Sequence, residues 1–416
     1  MIKIYRYIIA AGLLFWGTLA GAAMDRPGAV TDMQNAMAEL SGLLEAQGVV
    51  FQPGTLASNV IVAAVRAIDA DASIVTPEQA ERIQDEERGL FYGVGLKLLQ
   101  KGKHLKIIGI TTNGPAQAAG VPTGVMLEKI DGDSTENMTL EQAVPLLRGQ
   151  KNATATLTVR AENKGATSQV YKVKRTVIQI PVAGTQELWP QKIGYLKING
   201  LFEGSGEQII AQLKLWSTTN CSGIILDLRD ANGTNLAAVA AIAGLFAQPP
   251  PTLFILKDGF NKILKTYTAV KTATPLKKPV MVLVNGDTRG AAETLAAVLQ
   301  NCSGVMLVGL ATRGDDRFRT PLALAGGKVL YIAVRWVDLG KDSFNGKGVQ
   351  PDVVVSPTAE INTVKDAVEK DFGLFSGLTE QEKQDRALNK RIGNDFILRR
   401  ATDVLLGLKA LNIFKN

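Results

Sequence analysis

The chain has 416 residues, of which 46% are hydrophobic and 20% charged. That length accommodates roughly two to four domains, and the composition excludes a disordered or low-complexity chain. The net charge of +7 is mild for this size and comes with no long basic block, so nucleic acid is not expected as a partner. His104 is the single histidine, which excludes a Ser-His-Asp triad, an HExxH zinc site and any cluster of several histidines. No metal or cofactor is expected.

Residues 1–22 read as a secretory signal peptide. Lys3 and Arg6 precede an apolar run at 8–19, and Ala20-Gly21-Ala22 supplies the small residues of a cleavage site. Cleavage after Ala22 predicts a periplasmic or secreted protein, with an uncleaved anchor as the alternative. No later stretch is apolar for long enough to span a bilayer, so no transmembrane segment is expected after the signal is removed. An N-terminal helical segment follows over 23–88. Val30, Met33, Met37, Leu40 and Leu44 step by three and four, as on one face of a helix. A second helix is predicted around Val60–Ile68. Thr76, Pro77 and Gln79 predict a capped helix running to about Arg88.

Residues 89–180 carry Gly93-Val94-Gly95-Leu96, then the strand pattern Lys106–Ile110, then Asn113-Gly114-Pro115-Ala116. Asp131-Gly132 marks a tight turn, and Thr139 with Gln142 opens a helix to Arg148. Together these motifs resemble a PDZ domain. The resemblance implies that an extended peptide adds to the strand after the glycine loop, while loop N–H groups receive its terminal carboxylate. Gly93, Val94, Gly95, Leu96, Leu98, Val144 and Leu147 are the candidate peptide-binding residues. Several of them could equally fill the domain's core. Val125 stands where such domains usually carry aspartate.

Residues 185–357 read as an α/β unit. Ile193–Ile198, Val280–Val284 and Val305–Val308 are strand patterns, helical patterns lie between them, and Leu226–Arg229 carries the run LDLR. The segment PVMVLVNGDTRGAAETLAAVLQ, followed by VGLATRGDD, resembles the core of the carboxyl-terminal processing (tail-specific) serine peptidases of family S41. So do Asp69, Ser73, Thr76 and Pro77 before the PDZ segment, and Gly346-Lys347-Gly348 with Pro351-Asp352 after the core. The resemblance implies a ClpP/crotonase-like S41 core, an inserted or preceding PDZ domain, and helical N- and C-terminal segments.

In that family a serine nucleophile stands in a small-residue run and a lysine base follows a glycine. Asn285, Glu293, Gly309, Thr312 and Gly314 fix the frame without a gap. The nucleophile position then falls on Gly290 and the base position on Asp315, while Arg319 falls where a base-supporting glutamine is common. A serine hydroxyl needs an adjacent base to attack, and neither group is present. Gly233 and Thr234 occupy the loop that would donate an N–H to an oxyanion. The sequence therefore predicts an inactive S41 homologue that binds peptides or protein C-termini through its PDZ domain and serves as scaffold or regulator in the cell envelope. Its partners would include an active peptidase or a second copy. One alternative is an active endopeptidase with non-standard residues, Thr288, Asp287 and Asp315 being the nearby candidates. Another is a purely structural envelope protein. Cys221 and Cys302 sit in matching Asn-Cys-Ser-Gly strings before two strands, compatible either with a disulfide or with two separate thiols. Residues 358–416 are predicted helical, and Leu398, Ala401, Leu405 and Leu408 form an apolar face that requires a partner.

Overall fold

The structure is a computed structural model that describes residues 27–50, 52–163, 165–246, 252–269, 275–324, 327–340, 343–355 and 379–411. Residues 1–22, expected as a signal peptide, and the stretch 356–378 lie outside the described residues. No helix among the described residues is long and apolar enough to cross a membrane. The chain divides into two compact units.

The first unit takes residues up to Glu81, Leu256–Leu264 and Arg317–Trp336. It begins with the helices Pro27–Ala46 and Pro53–Arg66. The short strand Ser73–Val75 pairs antiparallel with Val329–Tyr331, and Arg317–Ala323 pairs antiparallel along the same long strand. Thr76 and Gln79 cap each other at the next helix, as the sequence predicts: the Gln79 N–H donates to Thr76 Oγ1 at 3.3 Å, and the Thr76 N–H to Gln79 Oε1 at 2.9 Å. The hairpin turn at Asp258 is closed by its own side chain, which accepts the N–H groups of Phe260 and Lys262.

The second unit takes the rest: Arg82–Ile255, Lys265–Asp316 and Val337 onward. The sheet over the residues that resemble a PDZ domain runs in the order Leu96–Lys101, His104–Ile110, Met126–Ile130, Thr154–Arg160, Gln169–Lys174. Alternation builds it. Ala155, Leu157 and Val159 are buried, while Thr154 and Arg160 are exposed, the period of a sheet with one face on a core. The Asp131-Gly132 turn takes positive φ at both residues, 52° and 97°, which bends the chain straight back. Helix Leu140–Leu147 starts with the expected Thr139–Gln142 capping box.

The core sheet of this unit runs Ala183–Leu188, Ile193–Ile198, Gly223–Asp227, Val280–Val284, Val305–Gly309, Val353–Val354. Only the first pair is antiparallel; the remaining neighbours are parallel. Gly223–Asp227 and Val280–Val284 are buried at every residue, as parallel strands covered on both faces must be. Helix Ala291–Gln300, whose first nine residues are all buried, follows the strand Val280–Val284. Leu398, Ala401 and Leu405 of helix Phe396–Ala410 pack with Ile225, Met281, Leu283 and Val308. The apolar face seen in the sequence thus finds its partner within its own chain.

Of the two states the sequence left open for Cys221 and Cys302, the structure has the free thiols. The strands they precede, Gly223–Asp227 and Val305–Gly309, are separated by Val280–Val284. Two strand spacings amount to roughly 9–10 Å, beyond the reach of a disulfide. The side chains of Val94 and Leu147 are 1% and 6% exposed and pack in the core of the sheet that starts at Leu96–Lys101, one of the two places the sequence left open for them, while the main chain of Val94 stays in the glycine loop.

Candidate functional site

In a parallel sheet the loops that carry chemistry leave the C-terminal strand ends. Three such loops converge here, after Asp227, after Val284 and after Gly309. Each is held by side chains from its neighbours.

Asp227 is 1% exposed. It accepts hydrogen bonds from Arg229 Nε at 3.0 Å and Nη2 at 2.6 Å, from the Arg229 N–H at 3.0 Å, from the Tyr195 hydroxyl at 2.8 Å and from Lys197 Nζ at 3.3 Å. Burial pushes its carboxyl up. The Arg229 hydrogen bonds and charge, with Lys197 and Tyr195, outweigh that and hold it below the usual carboxylate range. Arg229 Nη1 also reaches Asp395 at 2.8 Å, and Asp395 caps the last helix through the Leu398 N–H. The LDLR motif is therefore a bracket between the first loop and the C-terminal helix.

In the second loop Asn285 Oδ1 accepts the Asp230 N–H at 3.0 Å, and its Nδ2 donates to Asp230 Oδ1 at 2.7 Å. Thr288 is fully buried. Its hydroxyl lies 2.9 Å from the Leu228 carbonyl oxygen and 3.2 Å from Asn285 Oδ1, and it accepts the Asn285 N–H at 3.1 Å. The Thr288 proton is committed inside the turn. Gly290 follows at the head of helix Ala291–Gln300, with φ 61° and ψ −129°. That is strained backbone for any residue with a side chain. A Cβ at this position would stand 2.6 Å from the Gly233 carbonyl oxygen.

Gly233 itself has φ 124° and lies in parallel register with Leu201. Its nearest atom to the side-chain position of residue 290 is its carbonyl oxygen, an acceptor, with its nitrogen farther off at 4.0 Å. Thr234 is exposed.

Glu293 organises the third loop. It is fully buried. It accepts the Thr312 hydroxyl, the Gly314 N–H at 2.6 Å and the Asp315 N–H at 3.1 Å. Burial pushes its carboxyl up against these hydrogen bonds, and the nearby Asp315 charge adds to the rise. Asp315 is half-buried, its main chain fixed by Glu293. Thr312 Oγ1 also accepts the Val349 N–H at 2.7 Å, which fastens the Gly346–Asp352 motif to this loop. The sequence marked Glu293 as a frame residue. Its role as the loop's hydrogen-bond centre follows only from the fold. Arg319 lies in the first unit, where Nε and Nη2 bind the buried Asp69 at 3.1 and 2.9 Å, and Nη2 reaches Asp71 at 3.2 Å.

The PDZ groove is organised separately. Leu96–Lys101 ends its sheet, so its outer edge carries no strand among the described residues. Leu96 and Leu98 pack half-buried against the PDZ core, and Val144 on the adjacent helix is 39% exposed. In the glycine loop the carbonyls of Val94 and Gly95 accept the N–H groups of Ala116 and Thr111. Gly93 pairs with Thr176 and bridges to Arg148. The open edge is the geometry that strand addition needs.

Residues 192–355 match peptidase family S41, and residues 82–160 match the PDZ domain. A carboxyl-terminal-processing protease of a Picosynechococcus species is 30% identical over 292 residues, covering 69% of this chain and 70% of that protein. The carboxy-terminal processing protease CtpA of Bacillus subtilis is 25% identical over 288 residues, covering 68% of this chain and 60% of that protein. A photosystem II D1 C-terminal processing protease superposes with a TM-score of 0.45 at 21% identity, covering 72% of this chain and 81% of that chain. The chain belongs to peptidase family S41 and carries a PDZ domain.

Proposed function

We propose that this protein is a non-catalytic S41 homologue that binds extended peptides or protein C-termini through its PDZ domain, acting as scaffold or regulator in the cell envelope. The observation that carries the reading is at residue 290. There is no side chain there, and the Gly233 carbonyl fills the space a side chain would need. The atom of the 233 loop that faces this position is a carbonyl oxygen, an acceptor, with the Gly233 nitrogen farther off at 4.0 Å. Asp315 is no substitute for a lysine base without a nucleophile to serve. The open edge at Leu96–Lys101 supports the binding half of the reading. The envelope location rests on the signal-like residues 1–22.

The test is an assay of the purified chain on an unfolded protein substrate, run beside calorimetric titration with peptides bearing free and amidated C-termini. Binding without cleavage is expected. Cleavage that disappears on a substitution in the three loops would sink the proposal.

A second reading, an active peptidase, is favoured by the names of the relatives, which are proteases. It would need a hydroxyl free to react. Thr288, the nearest candidate in the turn, has its hydroxyl buried between two acceptors.

A further inference from the structure

The first unit holds an open cleft of about 530 Å³ lined by Asp258, Phe260, Leu264, Thr320, Val334 and Arg335, with Gly259 and Ala333. Its walls are unequal in chemistry. Phe260 is 78% and Leu264 46% exposed, both on the hairpin, so apolar surface faces water on one side. On the other side is Arg335, half-buried on the strand Val329–Asp338. Arg335 Nη2 donates to Thr320 Oγ1 at 3.1 Å, which fixes the plane of the guanidinium. Its Nε is buried with no hydrogen-bond partner among the described residues. No carboxylate among the described residues forms an ion pair with it. An arginine does not shed its proton, so the buried Nε–H is a donor left without an acceptor, which is a standing cost. The cleft also contains Asp258, but that carboxylate is turned into its own hairpin, where Oδ1 accepts the N–H groups of Phe260 and Lys262.

We propose that this cleft is a second peptide-binding site, distinct from the PDZ groove, which takes a peptide carboxylate on Arg335 and Thr320 and seats the adjoining apolar side chains against Phe260 and Leu264. The guanidinium matches a planar carboxylate in a two-point hydrogen bond. Asp258 nearby disfavours a doubly charged group such as phosphate. The openness of the cleft suits an extended chain that enters and leaves along the surface. The carboxylate is either a chain terminus or an acidic side chain, and two probes separate these sources.

The experiment uses the full chain and two peptides, each with a photo-activatable diazirine on a leucine. One is acetyl-Ala-Leu-Val-Ala-Leu with a free C-terminus. The other is acetyl-Ala-Leu-Val-Glu-Leu-Ala amide, which offers only a side-chain carboxylate. Mass spectrometry of the cross-linked product is expected to place at least one peptide on the 256–264 segment. Arg335→Met is expected to weaken that peptide about tenfold, and Arg335→Lys by less. If Arg335→Met fails to fold, Phe260→Asp at an exposed position decides, with the same loss expected. Val144→Asp in the PDZ groove is expected to leave this cross-link in place, which keeps the two sites distinguishable. The proposal is overturned if neither peptide reaches the 256–264 segment, or if Phe260→Asp and a folded Arg335→Met both bind as the wild type does.

Discussion

The carbonyl oxygen of Gly233 lies 2.6 Å from the point where a Cβ on Gly290 would stand. The two loops are also joined through their main chains, the Arg289 N–H donating to the Ala231 carbonyl at 3.1 Å. Gly290→Ser therefore has to move the 233 loop or tolerate a clash, and it places a side chain at φ 61°. The expected cost is about 1–3 kcal/mol, read from denaturant unfolding, with no gain of hydrolysis on an unfolded substrate. The double variant Gly290→Ser with Asp315→Lys is expected to show no hydrolysis for the same reason. Recovered cleavage would show that the loop opens readily.

The Asp227–Arg229 pair predicts both a stability loss and its pH dependence. Asp227→Asn leaves the buried Arg229 charge poorly compensated and loosens the Asp395 cap. A loss of about 3–5 kcal/mol is expected. The Asp227 carboxyl is held below its ordinary value of 3.8. A carboxyl lowered in the folded state contributes stability that is fully present above the ordinary value and lost as pH falls through the lowered one. The melting-temperature gap between wild type and variant should be constant from about pH 5 to pH 8 and should narrow below about pH 4. A gap that widens in acid would contradict the sign.

Binding in the PDZ groove is expected to depend on Val144, which is 39% exposed. Val144→Asp should weaken a peptide with a free, apolar C-terminus about tenfold or more while leaving the melting temperature nearly unchanged. Amidating that peptide should have a similar effect on wild type. Calorimetry gives both numbers, and equal affinity of all three pairs would remove the groove from the account.

Thiol chemistry checks the separation of the two cysteines. Burial pushes the Cys302 thiol up to about 11. Cys221 is buried and donates to the Gly223 carbonyl at 3.1 Å. Native protein at about pH 8 should alkylate slowly at both, and guanidinium should expose two reactive thiols without a reductant. Intact mass that shows loss of two hydrogens would restore the disulfide.

Much of the fold was legible because its signals are local. Thr76 with Gln79 and Thr139 with Gln142 each declare a helix start within four residues, and both caps form. Asp131-Gly132 declares a turn by its freedom at positive φ. The buried parallel strands show as unbroken apolar runs. The state of the cysteines was not legible, because the number of strands between two identical local strings is not written locally. The burial of the Val94 and Leu147 side chains was not legible for a related reason. A motif names the residues near a groove, and only packing decides which of them point into the core.

The order of residue types determined the chain's family, its PDZ domain and the bare position at 290, since periodicity, turns and gap-free spacing are properties of neighbours in sequence. The tertiary structure alone decided that the Gly233 carbonyl faces that position, that Arg229 reaches across 166 residues to Asp395, and that Arg319 reaches back 250 residues to Asp69. Those contacts arise when distant segments are brought together by burial of apolar surface, a force that carries no direction of its own and leaves the pairing of charges to the final geometry.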